Sequence, residues 1–201
     1  MYNIRQKIAK KLIEFIRKNT DKEEEELEKI QYGIEVILIN TFKLAILFIT
    51  AKILGIFNYT FFAFISFAAL RTFASGVHAG SNIKCIITNY VVFFSIVYLS
   101  IYSPLNKVLL AVVFLISLIL VMLYAPADTE DRPIVSKRLR KSLKIKSIAC
   151  VIILASACFV INGEVYRSLI AFSVLEESIL ITPMIYYVFG KSYRNYENVK
   201  L

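Results

Sequence analysis

Apolar residues fall into six runs along this chain, near 34–57, 59–74, 86–102, 107–125, 147–162 and 167–189. A membrane-spanning helix needs about 20 mostly apolar residues, with about 17 as the lower limit. The first, fourth and sixth runs meet that length well. The second, third and fifth are short, so one of them could tilt, re-enter or extend into its flanks. The joints carry turn character: Asn58, Ser103-Pro104, Ala125-Pro126 and Asn162-Gly163. Ahead of the runs, Ile4, Ile8, Leu12 and Phe15 recur at helical spacing among Arg5, Lys7, Lys10 and Lys11. That spacing predicts an amphipathic helix, suited to a headgroup surface or to packing on the protein's own cytoplasmic face. The run Glu23–Glu26 reads as a solvated face.

The pattern therefore predicts an all-α fold, a polytopic membrane helical bundle of about six transmembrane helices behind an N-terminal amphipathic helix. It reads as one embedded domain over 1–201, with 1–30 on the cytoplasmic face, the bundle over 34–189 and a cytoplasmic tail over 190–201. Composition agrees: 58% of the 201 residues are hydrophobic, against about 45–50% in soluble domains, and mean hydropathy is +0.65. Three Cys cannot build a disulfide framework. Residues 1–33 lack the apolar core of a cleavable signal peptide.

A net charge of +9 would suit nucleic acid, but its placement offers another account. The N-terminal region holds eight Lys/Arg, the 71–85 connection two, the 127–146 connection seven and the tail three. The opposite side receives Lys107 and Arg167, with Lys52 near the end of the first run. The positive-inside rule then puts both termini and both basic connections in the cytoplasm. The surplus calls for membrane lipids and needs no nucleic acid.

Ionisable groups within membrane segments are costly and usually face the protein interior. Here they are Glu35, Lys43, Lys52, Glu176 and Glu177. Lys43 against Glu176 or Glu177 would join the first and last spans, as a structural salt bridge or as part of a peptide-binding surface.

The single histidine, His78, stands seven residues before Cys85 in the stretch from Arg71 to Cys85. A cysteine nucleophile needs its thiolate, and a nearby imidazole supplies it by taking the proton. On one continuous helix seven residues separate the side chains by about 10 Å along the axis, too far for a hydrogen bond. A working pair requires a turn. Gly76 and Gly80 permit it, and Ser81-Asn82 favours it. Arg71, at the mouth of the hairpin, could lower the thiol pKa, hold a substrate carboxylate or reach the headgroups. Pairing alone leaves catalysis and plain packing both open. Cys150 and Cys158 read as packing residues. One His and three scattered Cys make no metal set. With no P-loop, Gly-x-Gly-x-x-Gly or Gly-x-Ser-x-Gly, no cofactor is expected. The stretch Tyr124-Ala-Pro-Ala-Asp-Thr-Glu-Asp-Arg-Pro-Ile134 carries Asp128, Glu130, Asp131 and Arg132 ahead of six further bases. It reads as a solvated loop or as a cradle for a charged peptide.

Two of these stretches resemble the accessory gene regulator protein B (AgrB) family. Gly76-Val-His-Ala79 with Cys85 is similar to its signature, and Tyr124 to Ile134 to its second characteristic stretch. Tyr32-Gly33-Ile34-Glu35 and the Glu177…Pro183 spacing fit as well. The resemblance covers essentially the whole chain. It implies a membrane cysteine endopeptidase of quorum sensing, acting on a small AgrD-type precursor peptide on the way to a cyclic autoinducing peptide. It implies His78 and Cys85 as catalytic, Arg71 and Gly76 as supporting positions, and a homodimer. Many members carry Gly-Gly where this chain has Ser75-Gly76, so a positive φ at residue 75 would bear on the loop's geometry. Two rival classes remain: a small transporter, whose intramembrane charges would line a path, and a non-catalytic receptor or assembly subunit, indifferent to Cys85.

Overall fold

A computed structural model of the protein describes residues 11–14, 16–20, 23–77, 82–130 and 132–197. Residues 1–10, which carry most of the amphipathic pattern, lie outside them; 11–14 and 16–19 are helical. The helices that follow are α1 (Glu24–Ile53), α2 (Phe57–Ala74), α3 (Asn82–Tyr102), α4 (Lys107–Tyr124), α5 (Lys137–Val160), α6 (Glu164–Leu180) and the short α7 (Pro183–Val188), with a 3-10 turn over Asn195–Glu197. Among the described residues there is no strand, only two isolated bridges, Ser75 with Ala127 and Thr129 with Arg132. The fold is an all-α membrane bundle. Four helices, α1, α3 (from Ile83), α4 and α5, are long and apolar enough to cross a membrane.

Several helices overrun their apolar runs. α1 begins ten residues earlier than expected, with Glu24, Glu25 and Glu26 in its first turn, where acids favour the helix N-terminus. α5 takes in the basic stretch from Lys137, because Ser136 caps it by accepting the N–H of Leu139 at 3.3 Å. Asn106 caps α4 in the same way, accepting from Leu109 at 2.9 Å. The sixth apolar run is not continuous. Pro183 has no N–H to extend α6 and holds Thr182 extended, so α6 stops and α7 restarts with Pro183 in its first turn.

The residues cluster into two compact units, Met1–Ile53 and Leu54–Leu201. In the second, α6 is the central helix, packed against α2, α3, α4 and α5. Its role explains its composition. It buries Ser168, Ser173 and Ser178 beside Leu169, Ile170, Ala171 and Val174, and small residues let neighbouring backbones approach closely. Two of these serines tie it to other segments: Ser173 Oγ donates to the Ala63 carbonyl at 3.1 Å, and Ser168 Oγ accepts the Leu105 N–H at 2.8 Å. The surrounding core includes Leu70, Ala74, Val121, Val151 and Tyr186. Cys150 and Cys158 belong to this core with free thiols, as packing residues.

Candidate active site

The chain leaves α2 through Ser75, Gly76 and Val77. The Ser75 N–H closes the last turn on the Arg71 carbonyl at 3.0 Å, with Ser75 itself at φ 59°, ψ −141°. Side chains other than hydrogen rarely tolerate that region. The departure from Gly-Gly thus falls on a residue whose backbone is left-handed in φ. Gly76 follows at φ 131°, and a Cβ there would stand 2.5 Å from Arg71 Nη1 and 3.3 Å from Ile181 Cγ2. Glycine is required at 76 both by conformation and by space.

The atom that leaves no room at Gly76 belongs to a fixed guanidinium. Arg71 Nη1 donates to Glu177 Oε2 at 3.1 Å, and Nη2 donates to the Val77 carbonyl at 2.6 Å. The Glu177 side chain is fully buried and that of Arg71 is 22% exposed. A planar fork can hold a carboxylate and a carbonyl at once, as a lysine ammonium cannot in the same geometry. Val77 immediately precedes His78, so Arg71 sets where the backbone enters that position. Glu177 is one of the two acids that the sequence set against Lys43, and its partner is Arg71 on α2. Lys43, half-buried on α1, belongs to the other unit. Glu176, next to Glu177, is half-buried on α6.

His78, Gly80 and Ser81 lie outside the described residues. Cys85 sits in the first turns of α3, half-buried, with a free thiol.

The second motif stretch meets the first. The Ala127 N–H donates to the Ala74 carbonyl at 2.9 Å, pairing Ala127 with Ser75 in a parallel bridge. The stretch is docked, not solvated: Ala125, Ala127 and Asp128 are all buried. The Asp128 carboxylate accepts backbone N–H groups from Asn195 at 3.0 Å and Tyr196 at 2.8 Å. The Tyr186 hydroxyl donates to the Asp128 carbonyl at 2.5 Å. Glu130 accepts from Lys191 Nζ and from the Ser192 N–H. The Ser192 N–H and then the Lys191 ammonium hold its carboxyl below the ordinary glutamate range. Arg132 is exposed, its N–H bonded to the Thr129 carbonyl. Asp128 and Glu130 are therefore engaged with the C-terminal tail. The motif's composition flagged Asp128, but no local pattern named Tyr186, Asn195 or Tyr196 as its partners. Among the described residues, no three His, Cys, Asp or Glu side chains could hold a metal ion.

The model of one known family, accessory gene regulator B, matches residues 9–181. A putative AgrB-like protein of Clostridium acetobutylicum is 34% identical over 194 residues, 96% of this chain and 93% of that protein. The accessory gene regulator protein B of Staphylococcus intermedius is 33% identical over 159 residues, 79% of this chain and 84% of that protein. A putative AgrB-like protein of Listeria monocytogenes is 32% identical over 175 residues, 87% and 86% of the two chains. No solved structure matches.

Proposed function

The chain belongs to the accessory gene regulator B family, and from that premise we propose that it is a membrane cysteine endopeptidase of the quorum-sensing system. Its substrate is a small AgrD-type precursor peptide. The observation that carries the reading is the meeting of the two motif stretches, Ala74-Ser75 against Ala127, next to an Arg71–Glu177 pair that anchors the carbonyl before His78. A site of this kind needs its histidine held on a defined backbone, and the Val77 carbonyl is tied down on the residue before it.

In the proposed reaction His78 takes the Cys85 proton, and the thiolate attacks the carbonyl carbon at the end of the future signal peptide. The C–N bond breaks, the imidazolium gives its proton to the leaving amine, and a Cys85 thioester remains. A Cys or Ser side chain within the same bound peptide then attacks the thioester. Its proton returns through His78, the Cys85 thiol is restored, and a thiolactone or lactone ring closes. Tethering favours this attack over water, since an intramolecular nucleophile gains several kcal/mol in effective concentration. Arg71 and Glu177 are positioning residues, with Ser75, Gly76 and Gly80 shaping the turn. The burial of Glu177 against Arg71 speaks against a transport path lined by free intramembrane charge. In the membrane both termini and the hairpin face the cytoplasm, where the basic connections lie.

Purified protein in lipid, mixed with its precursor, tests this by mass spectrometry of the products. The expected result is cleavage that is lost in both Cys85→Ala and His78→Ala, with an adduct trapped on Cys85. Cleavage that persists in Cys85→Ala would overturn it. In intact cells a membrane-impermeant thiol reagent should fail to reach Cys85, while inverted vesicles should expose it.

A further inference from the structure

A second concave site lies at the cytoplasmic ends of α4 and α5. Its volume is about 300 Å³, and its lining includes Tyr124 and Tyr193 with four bases, Arg140, Lys141, Lys144 and Arg194. Arg140 stands out among these bases. Its Nη1 is buried and has no hydrogen-bond partner, although buried donors are nearly always satisfied. Its guanidinium carbon stacks 3.6 Å over the Tyr196 ring, and the Tyr196 backbone is itself fixed by Asp128. The unsatisfied donor is therefore held in place. Asp128, the acid that lines the cavity, already accepts two short backbone N–H bonds at 2.8 and 3.0 Å. It is poorly placed to serve Arg140, Lys141 and Lys144 as well, while Arg194 pairs with Glu197. Just along α4, on the apolar side of the cavity, Ile119, Met122 and Leu123 are exposed.

We propose that this cavity binds the phosphodiester headgroup of an anionic phospholipid, with Arg140 as its principal contact and Lys141 and Lys144 completing the charge. The acyl chains then lie along the exposed apolar residues of α4. Three features select this occupant. Arg140 lines the cavity with a planar guanidinium fixed over the Tyr196 ring, a shape suited to phosphate oxygens. The bases cluster where two candidate spans end, the level of the headgroups. The apolar strip beginning at Leu123 suits an acyl chain and has no use for a free anion or an acidic peptide. The proposal stands apart from the peptidase reading, since it uses neither His78 nor Cys85.

The test is native mass spectrometry of the full chain, titrated with phosphatidylglycerol or phosphatidylcholine. The expected result is a preference of roughly tenfold for phosphatidylglycerol, falling by about fivefold in Arg140→Gln, as one lost basic contact implies. The double variant Lys141→Gln/Lys144→Gln, which leaves Arg140 and its stacking on Tyr196 in place, should lower it as well and keeps the test decisive if Arg140→Gln fails to fold. Equal binding of the two lipids, or a preference unchanged in both variants, would overturn the proposal. So would full displacement of phosphatidylglycerol by inorganic phosphate, which would make the occupant a free anion. Displacement by a synthetic acidic peptide more readily than by a second phospholipid would equally overturn it, in favour of a peptide site.

Discussion

Replacing Ser75 by glycine should stabilise this protein, against the usual direction for glycine substitutions. Ser75 occupies φ 59°, ψ −141°, next to a region that is essentially reserved for glycine and costs other residues about 1–3 kcal/mol. Glycine removes that strain but raises the entropy of the unfolded chain, a cost of about 0.4–1 kcal/mol. The expected net gain is about 1–2 kcal/mol. Unfolding of the purified protein in mixed micelles of mild detergent and dodecyl sulfate, followed by circular dichroism, would measure it. Two companions separate the causes. Ser75→Ala keeps the strained φ and should move stability by less than about 0.5 kcal/mol, the ordinary range for a substitution that changes no special feature. Gly76→Ala should destabilise strongly, because the new methyl would stand 2.5 Å from Arg71 Nη1 on a residue at φ 131°. If Ser75→Gly proves neutral or destabilising while Ser75→Ala behaves alike, strain at residue 75 is not what limits the hairpin, and the reasoning fails.

Truncating one member of the Arg71–Glu177 pair leaves the other uncompensated. Glu177→Ala should cost about 3 kcal/mol, and Arg71→Met/Glu177→Leu together less than Glu177→Ala alone; the same unfolding assay checks the order. Arg71→Lys should lower cleavage more than stability, since one ammonium cannot reach both Glu177 and the Val77 carbonyl, and kcat measured beside unfolding would separate the two. Tyr186→Phe strips the donor from the Asp128 carbonyl and should cost about 1–2 kcal/mol, with faster proteolysis of the segment after Val188. The pH dependence of tail docking follows from Glu130. Its folded pKa lies below the ordinary value of 4.5, so its contribution is present above that value and is lost as the pH falls through it and below. Hydrogen exchange at residues 191–197 should therefore accelerate on acidification, and Glu130→Gln should remove that dependence.

The helices were legible in the sequence because lipid demands apolar length, and length is visible in one dimension. Their ends were not, for a reason particular to each. α1 runs on through Glu24–Glu26, where acids favour the helix N-terminus, and α5 through Lys137–Lys146, where the Ser136 cap offsets bases that do not, whereas an apolar run stops at the first charge. The last run, continuous in hydropathy, breaks at Thr182-Pro183 because proline acts on the backbone without changing polarity. Residue types alone named Arg71, Cys85, Asp128 and Glu177 as worth attention. Their partners stayed hidden, since each comes from far along the chain: Arg71 and Glu177 are 106 residues apart, and Asp128 and Tyr196 are 68 apart.

Those long-range bonds give the second motif stretch a structural purpose that its composition concealed. Three acids in a loop look like a surface for a basic partner, yet two of them bond the chain's own tail, Asp128 buried and Glu130 at the surface. Asp128 holds the turn at Asn195–Glu197 by two backbone N–H groups, and Glu130 holds Lys191 and Ser192. The same loop, one residue earlier, bonds the Ala74 carbonyl beside the strained Ser75. The tail is thus linked through Asp128 and Ala127 to the point where the chain turns toward His78. Removing the latch should be felt at that turn. Asp128→Asn leaves its amide oxygen able to accept one N–H but takes away the charge that strengthens both bonds. If the linkage holds, hydrogen exchange should quicken at Ser75–Val77 as well as at Asn195–Glu197. Acceleration confined to the tail would show that the turn is held by Arg71 and Glu177 alone.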